Sequence, residues 1–123
     1  MPLFLVMIGG ALGAGARHLV GRATMAWFGA NFPYGTLTVN ILGGLLMGLL
    51  VGILARTSAG ESWRLLLGVG VLGGFTTFSS FSLDVVTMIE RGAVTLALGY
   101  ILVSVIASIL ALFAGLTLVR AVA

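Results

Sequence analysis

The chain has 123 residues, of which 60% are hydrophobic and only 7% are charged. A water-soluble domain carries roughly 25% charged residues, so this composition excludes an ordinary soluble protein. The formal net charge of +3 comes from scattered arginines, and without a basic cluster it does not indicate nucleic-acid binding. Cysteine is absent, which excludes disulfides and thiolate metal sites.

Four apolar segments, separated by short polar or Pro- and Gly-containing turns, follow one another along the chain. A bilayer core about 30 Å thick needs about 20 apolar residues per helix, so the length accommodates four spans and no extramembrane domain. The first segment has no basic stretch before it and no cleavage motif after it, so we expect a retained helix. The segments predict an all-α membrane protein with helices at residues 3–28, 34–55, 63–89 and 93–119, and a polar loop at 57–62.

Glycines recur at four-residue intervals in the first two spans. Small residues at this spacing let helix backbones approach closely in lipid. We therefore interpret them as packing surfaces that require no chemistry: Gly9, Gly13, Gly44, Gly48 and Gly52.

The third span differs from the others in length and in the polarity of its centre. At 1.5 Å per residue it is longer than the bilayer core, and residues 73–82 read GGFTTFSSFS. Helix interiors disfavour glycine, and Ser and Thr compete for backbone hydrogen bonds. Unwound backbone in a membrane is tolerated when it is buried in protein or lines a wet cavity. The pattern predicts a helix broken near its middle; the alternative is a continuous helix with a glycine packing face.

The arginines are divided equally between the two ends of the predicted bundle. A Lys/Arg excess on one side normally sets the orientation of a membrane protein, and an equal division sets none. We therefore expect insertion in both orientations and pairing of inverted copies as an antiparallel homodimer, although chance also produces equal counts in a small sample. One end carries Arg17, Arg22 and Arg91, and the other carries Arg56, Arg64 and Arg120.

Polar side chains inside spans are functional candidates because they cost free energy in the bilayer. The Asn40 amide could donate to an anion or bond a neighbouring helix, and the sequence leaves both open. Tyr100, Ser104 and Ser108 recur at intervals of four, which places three hydroxyls on one helix face. Serines often bond to their own helix, but a stripe that begins with tyrosine is less easily explained in that way.

Aromatic and acidic residues complete the pattern. Phe78 and Phe81 share a helix face, and the positive edges of aromatic rings favour an anion, although such pairs more often serve packing. The interiors of the first, second and fourth spans contain no Asp or Glu. A cation path uses carboxylates or ordered carbonyls, so a path lined by amide and hydroxyl donors suits a small anion better.

Three blocks of sequence resemble the Fluc/CrcB fluoride channel family: residues 9–17 (GGALGAGAR), 35–40 (GTLTVN) and 73–82 (GGFTTFSSFS). The resemblance extends over all four spans in order. It implies a single transmembrane domain over residues 1–123 that conducts fluoride passively across the cell membrane and lowers cytoplasmic fluoride. It also implies a dual-topology homodimer with two narrow pathways along the subunit interface.

The resemblance further implies roles for individual residues. It implies one structural Na⁺ at the dimer centre, held by the backbone carbonyls of Gly73 and Thr76, and a vestibule residue in Arg17. His18 and Asp84 depart from the family pattern, in which Tyr and Glu are common there. The fluoride pathway that it implies comprises Asn40, Phe78, Phe81, Ser79, Ser80, Ser82, Tyr100, Ser104 and Ser108.

Other classes of protein compete less well with this interpretation. Small four-helix multidrug or cation transporters resemble proton-coupled antiporters with a Glu in the first span, and the first span here has no acid. A pure packing protein would account for the glycines but not for the polar break. The chain offers no nucleophile–base pair, so we do not expect an enzyme. The sequence does not separate a channel from a fluoride/proton antiporter on physical grounds.

Overall fold

A computed structural model describes residues 2–57 and 60–122, and over these residues it consists of helices joined by short turns, with no β-strand. Four helical segments are long and apolar enough to cross a membrane, the third of them (Glu61–Glu90) being composite. The elements are α1 (Pro2–Phe28), α2 (Tyr34–Arg56), α3 (Glu61–Trp63), a π-helical stretch (Arg64–Leu72), α4 (Gly73–Phe75), α5 (Ser79–Glu90) and α6 (Val94–Val122). We call Glu61–Glu90 the third span.

The number and order of the predicted spans are confirmed, and the boundaries need small corrections. Glu61 and Ser62 were expected in a loop but begin the third span, where the Glu61 carboxylate pairs with Arg64 in the first turn. The last helix begins at Val94 and continues past residue 119 to Val122, since its final turn remains apolar around one arginine. Residues 1, 58, 59 and 123 lie outside the described residues, so part of the predicted 57–62 loop is not described.

The third span is broken, as its sequence predicts. Thr76 has an extended backbone (φ −85°, ψ 159°) between α4 and α5, which excludes the alternative of a continuous helix. Helical hydrogen bonding resumes where the Ser82 N–H donates to the Phe78 carbonyl at 2.9 Å. We call residues 76–78 the break. The π-helical turns before it were not predicted.

Glycines bring the helices into contact along their backbones. α1 packs on the first half of the third span, where a Cβ on Gly13 would overlap the carbonyl of Val71. α2 packs on α6 in the same way, since a Cβ on Gly48 would overlap the carbonyl of Leu112. Both contacts confirm that the glycine repeats are packing surfaces.

A small buried cluster at one end of the bundle joins α5 to α6. It consists of Phe81, Met88, Ala97 and Tyr100, with Phe32 packed against it. Most large apolar side chains elsewhere are exposed, as lipid-facing residues are in a membrane protein. The cluster fixes α5 against α6 just beyond the break.

Candidate functional site

Asn40 of α2 holds the backbone of the break. Its Nδ2 donates to the Thr77 carbonyl at 3.0 Å, and its Oδ1 accepts from the Thr77 N–H at 2.8 Å. An unpaired backbone group buried in a membrane costs several kcal/mol, roughly, so this pair of bonds makes the unwound residue tolerable. An amide nitrogen carries two hydrogens, so one Nδ2–H is not used by the Thr77 carbonyl.

At the break, backbone N–H groups bond to side chains and no longer to helical carbonyls, so some carbonyls lose their hydrogen-bond donors. In a continuous helix the carbonyls of Gly73 and Thr76 would accept from the N–H groups of residues 77 and 80. Here the Thr77 N–H donates to Asn40, and the Ser80 N–H donates to the Thr77 hydroxyl at 3.2 Å. The carbonyls of Gly73 and Thr76, for which the family resemblance implies a role in holding a cation, have therefore lost their helical donors.

A groove of about 440 Å³ lies beside the break, between the third span, α2 and α6. No Asp, Glu, Lys, Arg or His is among the described residues that line it. Its polar lining comes from Asn40, Thr76, Thr77, Ser104 and Ser108, and its aromatic lining comes from Phe78 and Phe81. The groove joins most of the predicted pathway residues on one uncharged surface.

Two hydroxyls in this groove have no hydrogen-bond partner among residues 2–57 and 60–122. The Oγ atoms of Ser104 and Ser108 are buried, and within the described chain neither makes a hydrogen bond. Buried serines usually bond to a carbonyl of their own helix, and an unsatisfied hydroxyl costs about 1–3 kcal/mol. Each of these hydroxyls can therefore still donate one hydrogen bond.

Aromatic rings extend from the groove into the buried cluster. The ring centroids of Phe78 and Phe81 are 5.6 Å apart, and those of Phe81 and Tyr100 are 5.2 Å apart. Phe81 is buried, whereas 78% of Phe78 is exposed. An exposed ring on the edge of a groove is free to form part of its wall or to contact another molecule.

Tyr100, the first residue of the predicted hydroxyl stripe, has a partner on another helix. It is 1% exposed, and its hydroxyl donates to Asp84 Oδ2 of α5 at 3.0 Å. Tyr100 does not line the groove, whereas Ser104 and Ser108, which follow it on the same face of α6, do. Along α6 the stripe therefore begins with the hydrogen-bonded hydroxyl of Tyr100 and continues with two hydroxyls that make no hydrogen bond within the described chain.

A second cavity, of about 560 Å³, opens at the end of the bundle where α1 and α5 meet the loop before α2. We call it the vestibule. Its lining carries Arg17, His18, Arg22 and Arg91, with Asp84 as an acidic residue among them. Three arginines predicted for one side of the membrane thus share one cavity, while Arg56 donates to the Arg120 carbonyl elsewhere on the protein.

Thr77 lines both the vestibule and the groove, so the break separates the two cavities. The sequence did not predict a role for Thr77, although Thr77 belongs to the polar block of residues 73–82. Its bonds to Asn40 and Ser80 exist only once the break has folded. Asp84 was also missed as a partner of Tyr100. The available signal was that Asp84 lies one helical turn after Ser80, on the same face of α5 as a predicted pathway residue.

The remaining predicted pathway serines lie around the break. Ser80 lines the vestibule. Ser79 lies 3.4 Å from the Thr77 hydroxyl, and Ser82 donates back to the Phe78 carbonyl at 2.9 Å. Ser79 and Ser82 are outside the lining of both cavities, so the structure does not bring them together with Ser104 and Ser108.

The described residues form a multi-pass membrane protein built around a discontinuous helix. They supply four apolar spans, a polar break and a groove whose described lining has no charged residue and two unpaired hydroxyls. Comparison with known proteins agrees. Residues 4–116 match the family model described as CrcB-like protein, Camphor Resistance (CrcB). The chain belongs to the CrcB-like family.

Similar proteins cover almost the whole chain. A protein of Sphingopyxis alaskensis named fluoride-specific ion channel FluC is 57% identical over 119 residues, covering 96% of this chain and 94% of its own length. A protein of the same name from Phenylobacterium zucineum is 60% identical over 122 residues, covering 98% and 96%. A third, from Caulobacter sp. (strain K31), is 56% identical over 120 residues, covering 96% and 94%.

Proposed function

We propose that this protein is a fluoride channel that conducts the ion passively across the cell membrane and so lowers cytoplasmic fluoride. The observation that carries the proposal is the pair of buried hydroxyls of Ser104 and Ser108, which have no hydrogen-bond partner in the described part of the chain and lie in a groove whose described lining is uncharged. The names of its close relatives supply the ion. No enzymatic role is proposed, since the relatives are ion channels.

The chemistry of the groove suits fluoride. A small, strongly hydrated anion enters a narrow path only if protein donors replace its water, and several weak sites in series let it leave again. Ser104 and Ser108 offer two donors, and the second Nδ2–H of Asn40 offers another. The ring edges of Phe78 and Phe81 add positive potential without a trapping charge.

We propose that a second, inverted copy of the chain completes the pathway. The groove is open and Phe78 is largely exposed at its edge, so one chain does not enclose an ion. Equal numbers of arginines at the two ends permit insertion in both orientations. An antiparallel homodimer would place two such grooves along one interface.

We propose that one structural Na⁺ joins the two breaks at the dimer centre. The carbonyls of Gly73 and Thr76 fit this role, because they have lost their helical donors and oxygen is the ligand that hard cations take. Two carbonyls from each copy would surround the ion. When bound, it would satisfy carbonyl oxygens that have lost their helical donors and would fix the two third spans to each other.

Fluoride would reach the groove through the vestibule, where Arg17, Arg22 and Arg91 favour an anion. The ion then passes Thr77, which lines both cavities, and is transferred to the donors of the groove. The alternative of a multidrug or cation transporter is not favoured, because the groove lining has no carboxylate among its described residues.

Fluoride efflux from liposomes tests the proposal. Vesicles loaded with potassium fluoride and holding the purified protein receive either valinomycin or a protonophore, and chloride-loaded vesicles serve as the control. A channel releases fluoride with valinomycin alone and retains chloride. Efflux that requires the protonophore would indicate a proton-coupled mechanism, and no efflux from folded protein would contradict the proposed function.

A further inference from the structure

Arg17 continues the face of α1 that packs on the third span. Gly9 and Gly13 precede it at four-residue intervals, and a Cβ at either position would overlap the backbone of residues 66–75. Residues four apart lie above one another on a helix, so Arg17 meets the third span one turn further along. There its Nε donates to the Gly74 carbonyl at 3.1 Å, a bond between residues far apart in sequence.

The Gly74 carbonyl needs a partner because the helix stops beside it. In a continuous helix it would accept from the N–H of residue 78, but Thr76 is extended and carries the chain away. A carbonyl left unpaired at this depth would be costly. Arg17 therefore takes the place of the missing helical donor.

The guanidinium group suits this position for a second reason. The last carbonyls of a helix carry partial negative charge, so a cation at the end of α4 and the π-helical stretch is favourable. An arginine can donate through Nε and keep its terminal nitrogens for the vestibule, which Arg17 also lines. A lysine carries its three N–H donors on one compact ammonium at the end of a flexible stem, so it does not present donors to both places in a fixed geometry.

Two side chains thus hold the break from opposite sides of Thr76. Arg17 binds the carbonyl of Gly74 before it, and Asn40 binds both backbone groups of Thr77 after it. We propose that Arg17 is a positioning residue that sets the backbone of the break, and not only a charge that attracts anions to the vestibule. The proposal rests on the proposed function, since it assigns Arg17 a part in conduction.

Substitutions of Arg17 and Arg22 distinguish positioning of the break from electrostatic attraction of anions to the vestibule. The full-length protein is reconstituted in planar bilayers, and fluoride current is measured against fluoride concentration at low and high ionic strength. R17K keeps the charge and loses the Nε bond, whereas the matched control R22Q removes a charge from an exposed arginine of the same vestibule. If Arg17 positions the break, R17K lowers the maximal current about tenfold or more, and neither salt nor saturating fluoride restores it.

The control R22Q is expected to behave differently from R17K. R22Q should mainly raise the half-saturating fluoride concentration, and the difference from wild type should shrink as salt screens the vestibule. A wild-type current in R17K, with R17Q behaving like R22Q, would overturn the proposal and leave Arg17 as a simple attracting charge. A wild-type protein that conducts no fluoride would instead contradict the proposed function.

The hydrogen bond can also be measured without any substitution, which covers the case in which R17K does not fold. The chain has only six Lys and Arg residues in total, so the Nε–H signals of wild-type protein labelled with ¹⁵N-arginine are few. The Arg17 Nε–H should exchange with water at least about tenfold more slowly than that of Arg22. Equal exchange of the two groups would overturn the positioning role, whatever the currents show.

Discussion

The side-chain amide of Asn40 occupies both backbone hydrogen-bonding groups of Thr77, accepting from its N–H at 2.8 Å and donating to its carbonyl at 3.0 Å. The residue that the sequence left undecided between an anion and a neighbouring helix is thus bonded to the neighbouring helix. Its second amide hydrogen is not needed by that bond pair. Contact with the break and donation to an ion are therefore compatible roles of one side chain.

Asn40→Asp should abolish fluoride conduction and destabilise the protein. The substitution replaces the amide donor by a carboxylate that faces the Thr77 carbonyl, and it puts negative charge in the groove. Loss of the buried bond costs about 1–3 kcal/mol. Fluoride efflux and thermal unfolding in detergent measure the two effects, with Thr38→Ala, an exposed site on the same helix, as the control. Unchanged efflux in N40D would exclude Asn40 from the pathway.

Ser104→Ala and Ser108→Ala should lower fluoride conduction without lowering stability. Their hydroxyls have no partner within the described chain, so removing them costs no internal hydrogen bond and relieves an unsatisfied group. Thr95→Ala is the matched control, because Thr95 is an exposed hydroxyl residue of the same helix that lines neither cavity. Reduced stability together with normal efflux in S104A or S108A would show that the hydroxyls serve packing.

Phe78→Ile should reduce fluoride efflux while the folded protein remains about as stable as the wild type. Phe78 is 78% exposed in one chain, so little of its packing within that chain is lost. The positive ring edge beside the groove is lost, and isoleucine does not replace it. Phe113→Ile changes another exposed phenylalanine, on α6, and should leave efflux unchanged. Equal efflux from both variants would make Phe78 a lipid-facing residue.

The sequence predicts the spans and the break well because both depend on local composition. Apolar runs identify α1, α2 and α6, and paired glycines with clustered hydroxyls identify the interruption at Thr76. Contacts between helices depend on their relative register, which composition does not specify. The bonds of Arg17 to Gly74 and of Tyr100 to Asp84 therefore became visible only in the folded chain.

In the candidate site, too, local sequence spacing predicts which residues share a helix face but not which contacts they make. Intervals of four correctly place Tyr100, Ser104 and Ser108 on one face of α6, but spacing alone does not show which hydroxyls are already bonded. Tyr100 is paired and lies outside the groove, whereas the two serines are unpaired within it. The assignment of these residues to a fluoride pathway stays a prediction that the efflux measurements test.

Gly48→Ala should destabilise the protein by about 1–3 kcal/mol, because its new methyl group would overlap the carbonyl of Leu112 where α2 crosses α6. Gly99→Ala is the matched control, since a methyl group there meets nothing within 4 Å. Thermal unfolding of both variants in the same detergent gives the comparison. If G48A were as stable as G99A, the close α2–α6 contact would not hold in the membrane protein.

Tyr100→Phe should destabilise the protein more than Asp84→Asn does. Removing the hydroxyl leaves a half-buried carboxylate without its donor, whereas asparagine at residue 84 can still accept from the Tyr100 hydroxyl at the same place. The double variant Y100F/D84N should lose less stability than the two single losses combined, with a coupling of about 0.5–3 kcal/mol, as expected for residues in direct contact. Thermal unfolding of all four proteins measures this coupling. Strict additivity would show that the two side chains do not bond, and α5 would then be held to α6 by the apolar cluster of Phe81 and Met88 alone.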